Sequence, residues 1–360
     1  NMSKKNILIV GTGTIGEPLI GLLSDVRKKL GVDVYFNKRT PLIDEVAKVE
    51  SLIKRGAKLV TSPVRKPKFE AMGHKVNCVY EEALRKADVV IDCTPAGNNN
   101  KELYYIPSIT KNKKRTFIAQ GSEKGFGIPY AYGINDDALL ERSNDFISEF
   151  IQVVSCNTHN ICSILKSLSP NFGNIIESDF VCIRRANDIS QNGSFIASPE
   201  VNSHKNSGFG THHAADASRV LSTLYHNIPM YSSAMKINSQ YMHVIRFNVV
   251  VHGHEDANSI INKFKENKFV ALTHKNLANK IFSFGRDHGY YGRIYNQTVV
   301  SIPSLNTTSL GGRTKVTGFC FTPQDGNSLL SSISAAMYGL YGENYKDYMK
   351  MFDDYLFQEI

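Results

Sequence analysis

One of the six cysteines stands where a thiol could act as a nucleophile. Residues 151–169 read Ile-Gln-Val-Val-Ser155-Cys156-Asn157-Thr158-His159-Asn160-Ile-Cys162-Ser-Ile-Leu-Lys-Ser-Leu-Ser. An apolar run ends at Ser155, and Ile161, Ile164, Leu165 and Leu168 then recur at helical spacing. The pattern predicts a strand running into a helix, with Cys156 near the helix N-terminus among capping-type residues. The helix dipole and free amides there favour a thiolate. A thiolate can attack an aldehyde or acyl carbon, and backbone N–H groups of the same turn can hold the developing oxyanion. A buried structural cysteine is the plainer alternative. Cys162, about 600° further round the helix, shares no face with Cys156 and is expected to pack.

Such chemistry needs a base. His243 lies in a strand-like run, Tyr241-Met-His-Val-Ile-Arg-Phe-Asn-Val-Val-Val251, and imidazole titrates near neutrality. A satisfied core histidine is its alternative. Arg184-Arg185 follow a strand at Asp179–Ile183, and guanidinium forks suit phosphate. His212-His213, beside Asp216, follow a loop rich in Ser, Asn, His and Gly. Adjacent histidines are expected to point apart, and no third ligand has metal spacing, so an anion site fits better than a metal. Cysteines 78, 93, 156, 162, 182 and 320 form no Cys-x-x-Cys pair, which argues against structural zinc.

The elements that position these groups begin with a nucleotide fold. Asn6–Val10 is an apolar run, Gly11-Thr-Gly13-Thr14-Ile15-Gly16 follows, then an amphipathic segment to Leu30, Gly31, and a second strand at Val32–Phe36. In this order the glycines read as a dinucleotide turn. Gly11 allows the tight turn, Gly13 lets the backbone approach a pyrophosphate, and Gly16 permits close packing. After the second strand come Asn37-Lys38-Arg39-Thr40-Pro41, with no acid for a ribose hydroxyl. Two cations suit a 2′-phosphate, so NADP is expected ahead of NAD. A strand at Ala87–Cys93 leads into Thr94-Pro95, where an open α/β sheet binds ligands. Phe117–Gln120 ends another strand, at the Gly121 turn. Lys58–Val79 reads as a basic, irregular surface excursion with few aromatics, a weak candidate for nucleic acid.

With 42 Lys and Arg against 33 Asp and Glu, the 360-residue chain carries a formal charge of +9. That charge fits solubility, nucleic acid or phosphorylated small molecules. A 42% hydrophobic content excludes a disordered chain. No apolar run approaches a membrane span, and reduced cysteines in a cytoplasm are expected. The fold expected is α/β: a Rossmann-type doubly wound parallel sheet (1–155), and an α+β catalytic domain (156–325) with a mainly antiparallel or mixed sheet. A long helical tail (326–360) completes the chain.

Several segments occur in one order: the glycine-rich turn, Asp92-Cys-Thr-Pro95, Gln120-Gly121-Ser122-Glu123-Lys124, Val-Val-Ser155-Cys156-Asn157-Thr158, Ile183-Arg184-Arg185-Ala, Thr211-His212-His213 and Tyr241-Met-His243-Val. Together they resemble archaeal-type (type II) glyceraldehyde-3-phosphate dehydrogenase, as a divergent member. The resemblance implies Cys156 as nucleophile and His243 as base. It implies substrate contacts at Ser155, Asn157, Thr158, Arg185, His212 and His213. Cofactor contacts are implied at Thr14, Ile15, Lys38, Arg39, Gly121, Arg184 and Gln324, besides the glycines and Thr94-Pro95. Glyceraldehyde 3-phosphate and inorganic phosphate are then the substrates, and a cytoplasmic homotetramer in glycolysis or gluconeogenesis is implied. Two other readings remain. One is a semialdehyde dehydrogenase of the aspartate-semialdehyde or acetylglutamyl-phosphate reductase kind. The other is a non-catalytic NADP- or RNA-binding protein.

Overall fold

The structure, a computed structural model, describes residues 4–121, 123–142, 147–191, 193 and 195–360. Ser122 of the Gln120–Lys124 motif lies outside them. The chain divides into two compact units. The first comprises Asn1–Ile128, Leu139–Val153 and Leu329–Met351; the second comprises Pro129–Ala138, Val154–Ser328 and Phe352–Ile360.

One sheet is built on strands β1 (Lys5–Val10), β2 (Val32–Asn37), β3 (Lys58–Thr61), β4 (Val76–Val79), β5 (Val89–Asp92), β6 (Thr116–Gln120), β7 (Ile128–Tyr130) and β8 (Glu149–Val153). Their order is β4-β3-β2-β1-β5-β6-β8-β7. Every register from β4 to β8 is parallel. Ile7, Leu8 and Ile9 are fully buried, as a parallel strand covered on both faces requires. The order reverses at β1, where Val10 pairs with Asn37 on one side and Asp92 on the other. Gly11, Lys38 and Cys93 thus follow three adjacent strand ends at the topological switch point, where such sheets bind ligands.

Helix Gly16–Leu30 follows β1 and ends at Gly31, whose φ of +67° lets its N–H reach the carbonyls of Arg27 and Lys28. The segment 58–79, expected to be irregular, instead supplies β3, the helix Lys66–Ala71 and β4. Pro67 sits in the first turn of that helix, where a missing N–H costs nothing, and Phe69 is buried.

The second unit holds β9 (Ile175–Arg184), β10 (Glu200–Val201), β11 (Met230–Lys236), β12 (His243–His252), β13 (Val270–Thr273), β14 (Thr298–Ser301), β15 (Asn306–Ser309) and β16 (Arg313–Thr322). The sheet is mixed: β11 runs parallel to β9 and β13 to β14, while β9, β12 and β16 are antiparallel neighbours. Phe180 and Phe247 oppose each other across β9 and β12, both fully buried. Burial of each such ring contributes about 2–3 kcal/mol. They join Ile164 and Leu165 of helix Cys156–Leu168, and Val220 of helix His212–Ser222, in one core.

The expected helical tail is broken into a main helix over its apolar face, Leu329–Tyr341, and shorter helical turns that run to Tyr355. Helix Leu329–Tyr341 packs on β5, β6 and β8 in the first unit. Gly342, with φ +58°, ends it. Phe352–Ile360 then belongs to the second unit, where the Ile360 N–H donates to the Leu272 carbonyl at 2.8 Å.

Candidate active site

In the first unit the glycines differ in what demands them. Gly11 has φ +100°, and a Cβ there would also meet the Thr94 side chain at 3.0 Å. A Cβ on Gly16 would stand 2.2 Å from the Gly11 carbonyl oxygen, so Gly16 closes the loop on itself. A Cβ on Gly13 would meet nothing within 4 Å. Nothing in the fold requires glycine there, but a ligand backbone-close to the loop would. Thr14 and Ile15 complete the turn into the helix, whose N-terminus suits a phosphate. The residues therefore fit a dinucleotide.

Thr94 and Pro95 lie beyond β5. The Asp92 carboxylate, fully buried, accepts from Tyr105 Oη (2.5 Å), Asn100 Nδ2 (2.8 Å), and the N–H (2.8 Å) and Oγ1 (2.6 Å) of Thr94. This network fixes the loop. Thr94, Pro95, Gly11 and Arg39 line a cavity of about 670 Å³, within the usual range for small-molecule sites. Gly121, with φ +61°, donates its N–H to the Val153 carbonyl at 2.8 Å in the turn after β6.

Lys38 is placed differently from its sequence neighbour. It is buried, and its ammonium binds Glu45 and reaches Thr12 Oγ1 at 3.4 Å. Glu45 also holds Lys48 at 2.7 Å. Burial alone would raise the Glu45 carboxyl; the hydrogen bonds and charges of Lys38 and Lys48 hold it below its ordinary value. The acid missing at the end of β2 thus enters from the turn Ile43–Glu45, and only Arg39 of the two expected cations is exposed.

In the second unit Cys156 is the first residue of helix Cys156–Leu168. Ser155 is its N-cap: its Oγ accepts from the Thr158 N–H at 3.4 Å and meets Thr158 Oγ1 at 2.9 Å. Burial pushes the Cys156 thiol up to about 11, although the Arg185 guanidinium and the Asn157 N–H pull the other way. The helix start was expected to favour a thiolate; desolvation outweighs it here, and the thiol rests protonated. Asn157 and Thr158 are buried, and Asn157 Oδ1 accepts from Thr322 Oγ1 at 3.2 Å. Asn160 Nδ2 donates to the same hydroxyl at 2.8 Å.

Thr322 ends β16 and is the register partner of His243, which begins β12. The helix start bearing Cys156 and the strand start bearing His243 are therefore tied to one sheet end. His243 Nδ1 accepts from the Arg185 N–H at 2.9 Å. Its Nε2 lies 2.6 Å from the Gln324 amide, and its own N–H donates to Gln324 Oε1 at 3.1 Å. Burial, then the charges of Arg185, Arg184 and His213, hold the ring well below its ordinary pKa, so it is neutral.

Arg185 is buried, donating to the Tyr241 carbonyl (3.0 Å) and to Asp188 (2.7 Å), with Asp325 at 3.6 Å. Burial raises the Asp325 carboxyl. Arg184 ends β9 in register with Lys236. His212 is exposed, while His213 is buried with Nδ1 2.9 Å from Thr211 Oγ1. Their rings do not diverge: the centroids are 4.0 Å apart at 31°. Both sit in the first turn of helix His212–Ser222, with Thr211 at its N-cap. Among the described residues no group of three or more His, Cys, Asp or Glu could hold a metal ion. None of their helices is long and apolar enough to cross a membrane. Sequence reasoning missed Asp325 and Thr322; Asp325, adjoining Gln324, gives no periodic or spacing signal.

No family model matches the chain. Over 277 residues it is 30% identical to the glyceraldehyde-3-phosphate dehydrogenase of Methanothermus fervidus, spanning 74% of this chain and 73% of that one. It is 28% identical over 280 residues to the enzyme of that name from Methanococcoides burtonii, spanning 75% of each. With that of Sulfolobus acidocaldarius it shares 26% over 321 residues, 85% of this chain and 84% of the other.

Proposed function

We propose a function from one premise: the chain belongs to the glyceraldehyde-3-phosphate dehydrogenase family. It oxidises glyceraldehyde 3-phosphate with a nicotinamide cofactor and inorganic phosphate, reversibly, to 1,3-bisphosphoglycerate. Cys156 is the nucleophile and His243 the base. What supports these roles is a single juxtaposition: helix start and strand start share Thr322 through Asn157, Asn160 and the His243 register.

The protonation states dictate how the reaction begins. A thiol near pKa 11 and a neutral imidazole at the same sheet end favour attack accompanied by proton transfer over a stored thiolate. Cys156 Sγ bonds to the aldehyde carbon, and the thiol proton passes through His243 to the new hydroxyl. The Asn157 N–H, at the helix start, faces the Cys156 sulfur and offsets negative charge there as the proton leaves. A bound nicotinamide would supply the oxidising chemistry, as acceptor of the hydride that the carbon loses. His243 takes the hydroxyl proton as the thioester forms. A phosphate oxygen then attacks the thioester carbon and the C–S bond breaks. The leaving sulfur takes the proton that phosphate loses, and the imidazolium returns its own to solvent.

Ser155 and Thr158 act by capping the helix that carries the thiol. Arg185, with His212 and His213, forms the anion side of the site. Gly11, Gly13, Thr14, Ile15 and Gly16 would hold the pyrophosphate, with Thr94, Pro95 and Gly121 at neighbouring strand ends. Arg184 and Gln324 act beside His243. NADP is preferred to NAD. A cytoplasmic homotetramer in glycolysis or gluconeogenesis follows from family resemblance alone.

Initial rates with glyceraldehyde 3-phosphate and with aspartate semialdehyde test the proposal. Turnover of the first, with phosphate and NADP, is expected. Turnover of the second alone would transfer the site to the semialdehyde reading.

A further inference from the structure

The cavity at the end of β2 and β3 raises a question about which cations read the adenosine side of the dinucleotide. Lys38 is occupied: its ammonium is spent on Glu45 and Thr12. Lys48 donates to the Thr12 carbonyl at 3.1 Å and to Glu45. The three residues together brace the second position of the glycine turn. Removing Lys38 from that cluster to meet a phosphate would leave the half-buried Glu45 carboxylate one cation short and free a buried ammonium of its partner.

Arg39 and Arg65 are in the opposite condition. Both line the 670 Å³ cavity, with Ser62. Asn37 pairs with Val60, so the chain leaving β2 and the chain leaving β3 emerge side by side. Arg39 is two residues past β2, and Ser62 and Arg65 are one and four past β3. The Arg65 N–H donates to the Ser62 carbonyl at 3.0 Å, which makes these two a single turn. Among the described residues neither guanidinium has an acid or a carbonyl as partner. Nearby cations do: Arg55 has Asp25, Lys58 has Asp33 and Lys66 has Glu70. Glu81 also lines the cavity, leaving two cations against one anion. Tyr80 and Tyr104, packed edge-to-face with centroids 5.8 Å apart, give it an aromatic wall.

We propose that Arg65, with Arg39 and the Ser62 hydroxyl, forms the subsite for the 2′-phosphate of NADP, and that Lys38 is a positioning residue for the glycine turn. The proposal rests on the dinucleotide reading above and names the residues that choose the cofactor. A guanidinium fork from each of two adjacent strand ends can clamp one phosphate, and a hydroxyl supplies a further donor. NAD, with a bare 2′-hydroxyl, would meet two uncompensated cations and gain nothing from them.

Calorimetric titration tests this without catalysis, using NADPH, NADH, 2′,5′-ADP and 5′-AMP as probes. Loss of one charge-assisted contact is worth roughly tenfold to a hundredfold. Arg65→Ala is expected to weaken NADPH and 2′,5′-ADP by at least about tenfold, with NADH and 5′-AMP changed less than about twofold. Arg65→Lys should recover part of the loss, which separates charge from folding. Lys38→Met should weaken NADPH and NADH alike, through the loop. The proposal is overturned if Arg65→Ala leaves NADPH binding unchanged, or weakens both dinucleotides equally while circular dichroism shows an intact fold. If the wild type binds none of the four probes, the dinucleotide reading fails with it. If it binds NADH and NADPH equally and Arg65→Ala changes neither, only the 2′-phosphate subsite fails.

Discussion

The pH dependence of Cys156 alkylation follows directly from the geometry of its thiol. Burial raises that thiol to about 11, and Arg185 and the Asn157 N–H only partly offset it. At pH 8 the thiolate fraction is then on the order of one in a thousand. Inactivation by iodoacetamide should therefore rise about tenfold per pH unit from 7 to 10, without a plateau. Peptide mass spectrometry isolates the reaction at Cys156 from Cys78 and Cys93, which are also partly exposed. Arg185→Gln removes the main opposing charge and should slow alkylation at every pH below 10. Asp325→Asn removes a repelling carboxylate and should quicken it. A rate already level between pH 6.5 and 8 would refute the reasoning, because it would require an ion pair that the buried, neutral His243 does not supply.

Other expectations concern stability and the base. His159 is fully buried, and its pKa is lowered by burial to about 4 from 6.5. The unfolded chain binds the extra proton first, so stability falls as pH drops from 6.5 towards 4, by about 3 kcal/mol. Urea unfolding at pH 7 and 4.5 should show a smaller drop in His159→Asn; an equal drop would place the acid sensitivity elsewhere. Gln324→Ala removes the amide that touches His243 at both Nε2 and the main-chain N–H, and should move the acid limb of kcat/KM. An unmoved limb would show that Gln324 does not set the base. Gly16→Ala should cost about 1–3 kcal/mol in thermal or urea unfolding, from its clash with the Gly11 carbonyl. Gly13→Ala should fold normally yet bind NADPH more weakly; equal affinity would remove the pyrophosphate from that turn.

Periodicity made the central elements readable. The apolar run before Gly11 and the glycine spacing marked β1 and its helix, and the Val-Val-Ser155-Cys156 junction marked the helix start. Short parallel strands were harder. β3 and β4 are four residues each, and Pro67, within the stretch read as irregular, sits in the first turn of a helix. Long-range pairing was invisible: Glu45 answers Lys38 from beyond Pro41, and no local pattern joins them. The protonation of Cys156 was misjudged for the same kind of reason. Helix position is local and legible, while desolvation depends on β9, β12 and β16 folding around it.

The central claim is that a thioester forms on Cys156 and phosphate releases it. NADPH formation by the purified protein with glyceraldehyde 3-phosphate and NADP, in phosphate-free buffer, tests this most directly. The account predicts a burst of about one NADPH per active site and then near silence, with steady turnover on adding phosphate, and neither in Cys156→Ser. Steady turnover without phosphate, or a full burst in Cys156→Ser, would contradict it.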